Sequence, residues 1–375
     1  MGFFRKRMIL MKIVSIDTYK VAVPLIKPFK TALRTVEVAD SIIVKMTCDN
    51  GIIGWGEAPP THVITGDSLA SIEAVIQQVM KPFLQGKSIL NYEAIFHELQ
   101  TILVGNTSAK AAVDMAIYDC LAQQCGLPLY QFLGGDKQEI ETDFTVSVNG
   151  PDEMGEDAVR YIGQGFDVLK VKVGKDNPNT DIERISEIRK RVGNDLKIRL
   201  DANQGWKPKD AIRVIRKMED MNLNIELVEQ PVKAHDVEGL KQVTDAVETL
   251  IMADESVFSP KQAFEVVKTR SADLINIKLM KAGGIYQAAI INQLAEISGM
   301  ECMVGSMIET KLGISAAAHF AASKRNITRF DFDAPLMLAK DIVEGGISYN
   351  GRKITFSNQA GLGVSNVQVE GGAVE

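Results

Sequence analysis

From about residue 140 the chain alternates between two kinds of segment, and no other feature narrows its fold as far. Short runs rich in Val, Ile, Leu or Met read as strands: TDFTVSV, VLKVKV, KIRLDA, IELVEQ, LIMADE, LINIKL, ECMVGS and TRFDFD. The segments between them have helical spacing. In TDIERISEIRKRVG the apolar stripe is Ile182, Ile185, Ile188 and Val192, with Thr180 or Asp181 placed to cap. KPKDAIRVIRKMED sets Ile212, Ile215 and Met218 on one side, and SPKQAFEVVKTR opens with Ser259 as N-cap and Pro260 in the first turn. Eight strands and seven helices in strict alternation predict an α/β chain closed into a modified TIM barrel, (β/α)7β, and not an open sheet. The Gly-rich phosphate turn of a doubly wound sheet is missing: there is no GxGxxG and no Walker motif.

The first third reads differently. KIVSIDTYKVAV and SIIVKMTCDNGIIGWGE, with a DNG turn, predict an antiparallel meander. Helical runs follow around 68–83, 92–103 and 109–125. This gives an expected organisation of an N-terminal extension (1–10), an α+β capping domain (11–135), a barrel domain (136–335) and a C-terminal return to the cap (336–375). The start, MGFFRKRMIL, is basic then apolar without a small-residue cleavage site, so it reads as a frayed terminus with Met11 as an alternative start. Two Pro/Thr-rich stretches, PLIKPFKTALRT (24–35) and APPTHVITGDS (58–68), read as long loops of the kind that serve as lids.

Bulk properties exclude several classes. A formal net charge of −6 offers no basic footprint for nucleic acid or an anionic membrane. Cys48, Cys120, Cys125 and Cys302 show no CxxC spacing, which argues against a zinc site or disulfide framework and fits the reducing cytoplasm. No apolar run approaches the roughly 20 residues of a membrane helix.

Barrel chemistry sits at the C-terminal ends of the strands. Lys172, Asp201, Glu229, Asp254 and Lys278 fall there at intervals of 29, 28, 25 and 24 residues, one βα unit per step. Residues recurring at one phase of each unit converge on one mouth. Asp201, Glu229 and Asp254 come from three successive strands, and three converging carboxylates do not all stay ionised unaided. A hard divalent cation resolves this, and oxygen-only ligation favours magnesium or manganese over zinc; the alternative is three unrelated acids, each paired with a loop base. Lys170 and Lys172 share one face of their strand. Lys278 ends strand six, diametrically across the barrel from strand two. Two bases flanking one carbon are what a two-base epimerisation needs, and a neighbouring Lys170 and a metal both disfavour the charged form of a lysine base. A metal chelating the substrate carboxylate would stabilise the enediolate formed when the α-proton leaves. Asp331 and Asp333, in RFDFDAP, again point to one face, which suits a substrate ammonium.

Taken together, Lys-x-Lys on strand two, Asp/Glu/Asp on strands three to five and Lys on strand six resemble the enolase superfamily, in its muconate-lactonizing-enzyme subgroup. The DFD at 331–333 followed by APLML, with PFKTALRTV and VGSMIETKLGI, resembles the dipeptide epimerases of that subgroup. The resemblance implies one Mg2+ (or Mn2+) per subunit on Asp201, Glu229 and Asp254, with Lys172 and Lys278 as the alternating acid and base. It implies that Lys170 assists and contacts the substrate carboxylate, that Asp331 and Asp333 hold the ammonium, and that Arg34 meets a glutamate side chain. Thr145, Ser306 and Ile308 would line the pocket, the last two partly through backbone. The implied reaction is epimerisation of the Glu α-carbon in L-Ala-L-Glu and L-Ala-D-Glu, in murein peptide metabolism, by a cytoplasmic homo-oligomer. An Arg for a carboxylate and two Asp for an ammonium describe such a ligand independently. The alternatives are another reaction of the subgroup (N-acylamino-acid racemase, o-succinylbenzoate synthase or cycloisomerase) and a barrel that binds a ligand without turnover.

Overall fold

The computed structural model describes residues 11–369. The N-terminal extension expected at 1–10 therefore lies outside the described residues. Strands β1 (Ile13–Lys30), β2 (Thr35–Cys48) and β3 (Ile53–Ala58) form the antiparallel meander read from the sequence. The helix Thr107–Gln124 is buried along most of its length and packs on β3. Gly54 and Gly56 permit that approach, because a Cβ there would stand 2.2 and 1.9 Å from the carbonyls of Ala116 and Ala112.

The segment 24–35 is not the loop expected. β1 continues to Lys30, with a register irregularity between Pro24 and Phe29, and pairs with β2 up to Lys30↔Thr35. Proline and threonine gave the stretch a loop composition, but the irregularity accommodates the prolines. Only Thr31–Arg34 form the hairpin tip, where the Thr31 hydroxyl accepts from the amides of Leu33 (3.1 Å) and Arg34 (3.2 Å).

A short strand β4 (Glu139–Glu141) leads into eight parallel strands: β5 (Phe144–Val146), β6 (Val168–Lys172), β7 (Lys197–Asp201), β8 (Ile225–Glu229), β9 (Leu250–Ala253), β10 (Leu274–Ile277), β11 (Glu301–Val304) and β12 (Ile327–Phe330). They neighbour one another in chain order from β5 to β12. The two edges meet where the Asp143 amide donates to the Phe330 carbonyl at 3.3 Å, the Phe332 amide to the Thr142 hydroxyl at 2.8 Å, and the Thr145 amide to the Asp333 carboxylate at 2.6 Å. Each crossover carries a helix whose apolar stripe turns inward; Ile185 and Ile188, and Ile215 and Met218, are buried as the spacing requires.

Inside the barrel lies a separate apolar cluster of Leu227, Met252, Leu274 and Met303. Near it runs an ionic layer in which Arg199 bonds Asp143 (2.9 Å) and Glu226 (2.7 Å), and Arg329 bonds Glu226 (2.9 Å). The period of two along each strand then puts Lys172, Asp201, Glu229 and Asp254 two residues further toward the C-terminal mouth than Lys170, Arg199, Leu227 and Met252.

The cap of helix Pro178–Val192 is also corrected. Asn177, not Thr180 or Asp181, supplies it, accepting from the Asn179 amide at 2.9 Å. Asp181 is buried and does something else: it accepts from the Gly174 amide (3.0 Å) and the Trp206 indole (3.1 Å) and pairs with Arg184. Gly174 ends VLKVKVG at φ +82°, and a Cβ there would stand 2.5 Å from the Ala202 carbonyl. The turn leaving β6 thus needs glycine.

The tail adds β13 (Val343–Gly345), β14 (Ser348–Asn350), β15 (Lys353–Thr355) and β16 (Val364–Val367); β15 pairs with β4, and Gly361 exchanges backbone bonds with Leu127 (2.9 Å) and Leu129 (2.8 Å). Among the described residues no helix is long and apolar enough to cross a membrane.

Candidate active site

Lys172, Asp201 and Glu229 are the last residues of β6, β7 and β8, and Asp254 and Lys278 directly follow β9 and β10. Lys172↔Asp201 and Asp201↔Glu229 are register partners, so these groups stand at one level. Three strands separate β6 from β10 in either direction around the barrel, which sets Lys172 and Lys278 on opposite walls. All five are buried, as are Lys170, Thr145, Asp331 and Asp333.

Their charges interlock. Lys170 Nζ lies 2.8 Å from Glu229, 2.8 Å from Asp331 and 3.3 Å from Asp201. Lys172 bonds Asp201 at 2.6 Å, and Lys278 bonds Asp254 at 2.7 Å with Glu229 at 4.0 Å. Burial opposes the charge of Lys170, but Asp331, Glu229 and Asp201 outweigh it and raise its pKa well above the lysine range. The same contest raises Lys278, through Asp254. Asp201 resists burial because of Lys172 and Lys170 and falls to about 2. Glu229, buried and facing Asp201, rises to about 8. Asp333, buried and facing Asp331, rises to about 7. The two adjacent lysines thus spend their charge on carboxylates and not chiefly on repelling each other.

As the side chains lie, lysines stand between the acids, and among the described residues no three His, Cys, Asp or Glu form a ligand cluster. The donor set nevertheless suits a hard cation. It is all oxygen. Glu229 Oε2 and Asp254 Oδ1, both buried, accept no hydrogen bond of good geometry although Lys170 and Lys281 are at ion-pair distance.

Above this layer a small pocket of about 60 Å³ is lined by Arg34, Thr145, Lys278, Ser306, Ile308, Asp331 and Asp333. It draws together the hairpin tip of the cap, the 58–68 segment through Val63 and Ile64, and the barrel mouth. Although 24–35 is mostly strand, Arg34 reaches the mouth from its end. Ser306 Oγ lies 3.5 Å from the Asp331 carbonyl.

Three buried residues in this layer escape sequence reasoning. Lys281 pairs with Asp254 at 2.6 Å and donates to the carbonyls of Asp254, Val257 (3.1 Å) and Asn276 (3.1 Å). Asn276 donates to Glu229 at 2.8 Å. Glu255, buried behind Asp254, rises to about 7. Asn276 lies two residues before Lys278, so the strand period alone could have found it.

Comparison with known proteins agrees with this architecture. Residues 13–134 match the family model described as mandelate racemase / muconate lactonizing enzyme, N-terminal domain, and 153–367 match the enolase C-terminal domain-like model. The L-Ala-D/L-Glu epimerase of Bacillus subtilis (strain 168) is 67% identical over 354 residues, covering 94% of this chain and 97% of that protein. The solved substrate-liganded complex of the L-Ala-D/L-Glu epimerase from Bacillus subtilis superposes with a TM-score of 0.95 at 66% identity, over 96% of this chain and all (100%) of that one. A dipeptide epimerase from Enterococcus faecalis V583, complexed with Mg and L-Leu-L-Tyr, superposes with a TM-score of 0.92 at 45% identity, over 95% of this chain and 100% of that one. The chain belongs to the mandelate racemase/muconate lactonizing enzyme family of enolase-like proteins.

Proposed function

We propose that this protein is an isomerase that epimerises the Glu α-carbon of L-Ala-L-Glu and L-Ala-D-Glu, in the metabolism of murein peptides. The observation that carries it is the opposition of Lys172 and Lys278 across a mouth whose pocket is also lined by Arg34, Asp331 and Asp333. The high identity to a Bacillus subtilis protein of that activity supports the same substrate.

Asp201, Glu229 and Asp254 would hold Mg2+, with Mn2+ as a substitute; bound there, the ion supplies Lewis-acid stabilisation to a substrate carboxylate. Lys172 and Lys278, paired here with Asp201 and Asp254, would be the groups that exchange protons with substrate. One removes the α-proton and the other delivers a proton to the opposite face. Lys170 remains as a fixed cation beside the carboxylate being enolised. Asp331 and Asp333 receive the ammonium, and Arg34 the side-chain carboxylate. Thr145, Ser306 and Ile308 shape the wall. The family resemblance also carries a homo-oligomer in the cytoplasm, consistent with four free cysteines; light scattering measures the former.

The test is NMR of L-Ala-L-Glu with enzyme and Mg2+ in heavy water. Loss of the Glu α-proton signal with appearance of L-Ala-D-Glu is the expected result. Lys172→Ala and Lys278→Ala should each abolish epimerisation while one epimer still exchanges its α-proton. Normal epimerisation by either variant would refute the two-base reading.

A further inference from the structure

A second cavity, of about 650 Å³, lies beside the small pocket and is shut off from it by Phe29 and Thr145, which line both. Its interior is aromatic and aliphatic: Phe144, Tyr161, Phe166 and Leu336. Its charged groups are paired: Asp157 bonds Lys27 and Arg160, each at 2.7 Å, and Lys27 also bonds Glu153, outside the lining, at 2.8 Å. An apolar occupant suits such a space, and a charged one does not.

Phe29 is the larger side chain of the partition. It is half-buried, and it follows the irregular stretch of β1 where pairing with β2 lapses between Pro24 and Phe29. The Lys172 ammonium lies 5.6 Å from its ring centre, so the ring faces the reaction pocket on one side and the cavity on the other. Thr145, the other part, donates its amide to Asp333 at 2.6 Å.

The geometry points to Phe29 as the residue that sets the size of the substrate's N-terminal side chain, with the cavity behind it as the space that an apolar side chain larger than methyl would enter. This rests on the dipeptide reading above. An ammonium on Asp333 puts the first α-carbon next to the Thr145 and Phe29 wall, and the side chain leaves from that carbon. With the ring in place the small pocket ends at Phe29 and Thr145; with it removed the two spaces become continuous.

The experiment compares kcat/KM for L-Leu-L-Glu with that for L-Ala-L-Glu in the Mg2+-loaded wild type, Phe29→Ala and Phe29→Leu. The ratio should rise roughly tenfold or more in Phe29→Ala and less in Phe29→Leu, the gain expected of extra methylenes finding an apolar site. Leu336→Phe added to Phe29→Ala, which refills the cavity from its far wall, should lower the ratio again. Should Phe29→Ala lose turnover, calorimetric affinities of the folded variant for the two dipeptides should shift in favour of L-Leu-L-Glu relative to wild type. A ratio that stays flat or falls in both single variants overturns the inference. Wild-type enzyme inert toward L-Ala-L-Glu would instead refute the substrate reading on which it rests.

Discussion

Lys170 Nζ and Asp331 Oδ2 stand 2.8 Å apart, a buried ion pair that joins β6 to the segment leaving β12. The acid proposed to receive a substrate ammonium already has a resident cation, so the incoming ammonium shares it and leans on Asp333 as well. Asp331→Asn and Asp333→Asn should each raise KM for L-Ala-L-Glu about 10- to 100-fold, the worth of one charge-assisted hydrogen bond. With N-acetyl-L-Ala-L-Glu, which carries no ammonium, wild type and variants should converge. Steady-state kinetics on both substrates check this; a KM unchanged with the free dipeptide would remove the acids from ammonium binding.

Arg34 is proposed to supply the other end of the recognition. Arg34→Met keeps an unbranched apolar stem and removes the charge. It should cost L-Ala-L-Glu about 10- to 100-fold in kcat/KM while changing L-Ala-L-Met little. An equal loss on both substrates would mean that Arg34 supports the hairpin and not the carboxylate.

The acids at the strand ends make a prediction that needs no turnover. Mg2+ at about 100 times its Kd should stabilise the fold by about 2.7 kcal/mol, and EDTA should reverse the gain. Differential scanning calorimetry reads it as a rise in Tm of several degrees. Glu229→Gln should melt at a temperature insensitive to Mg2+. A Mg2+-dependent rise retained in that variant would place the cation elsewhere.

Far from this site, His319 is buried and accepts from the Tyr130 amide at 3.1 Å. Burial holds its pKa down at about 3, against 6.5 for a free imidazole. The unfolded chain therefore binds the extra proton first as pH falls. The contribution to stability is present above about 6.5 and lost progressively as pH falls toward 3, on the order of 5 kcal/mol in all. Denaturant unfolding at a series of pH values should show that slope between 6.5 and 3, and His319→Asn should flatten it. An identical slope in the variant would assign the effect to other groups.

The parts legible in the sequence share one property, that they depend on local period. Strand phase was enough to put Lys172, Asp201, Glu229, Asp254 and Lys278 at one level, because β/α units repeat their geometry. What escaped depends on partners distant in the chain. Lys281 reads as one more lysine in a short helical turn until the carbonyls of Asp254 and Val257 are seen beside it. Asp181 has the composition of a helix cap, and only the fold reveals Trp206 and Gly174 as its partners. The stretch 24–35 misled because its prolines sit where β1 is irregular, so loop composition and strand geometry coincide. The partition at Phe29 had no signature at all: one aromatic residue in a strand says nothing about what lies on either side of it.

The seam between β5 and β12 has an implication for anyone reshaping this chain. The Asp333 carboxylate grips the Thr145 amide across it. Under the proposed function Asp333 is therefore hoop clasp and recognition group at once. Exchanging it to admit a substrate without an ammonium also loosens the barrel at its closing edge. Directed evolution away from free dipeptides should accumulate compensating changes along 142–146 and 330–333 before new activity becomes robust.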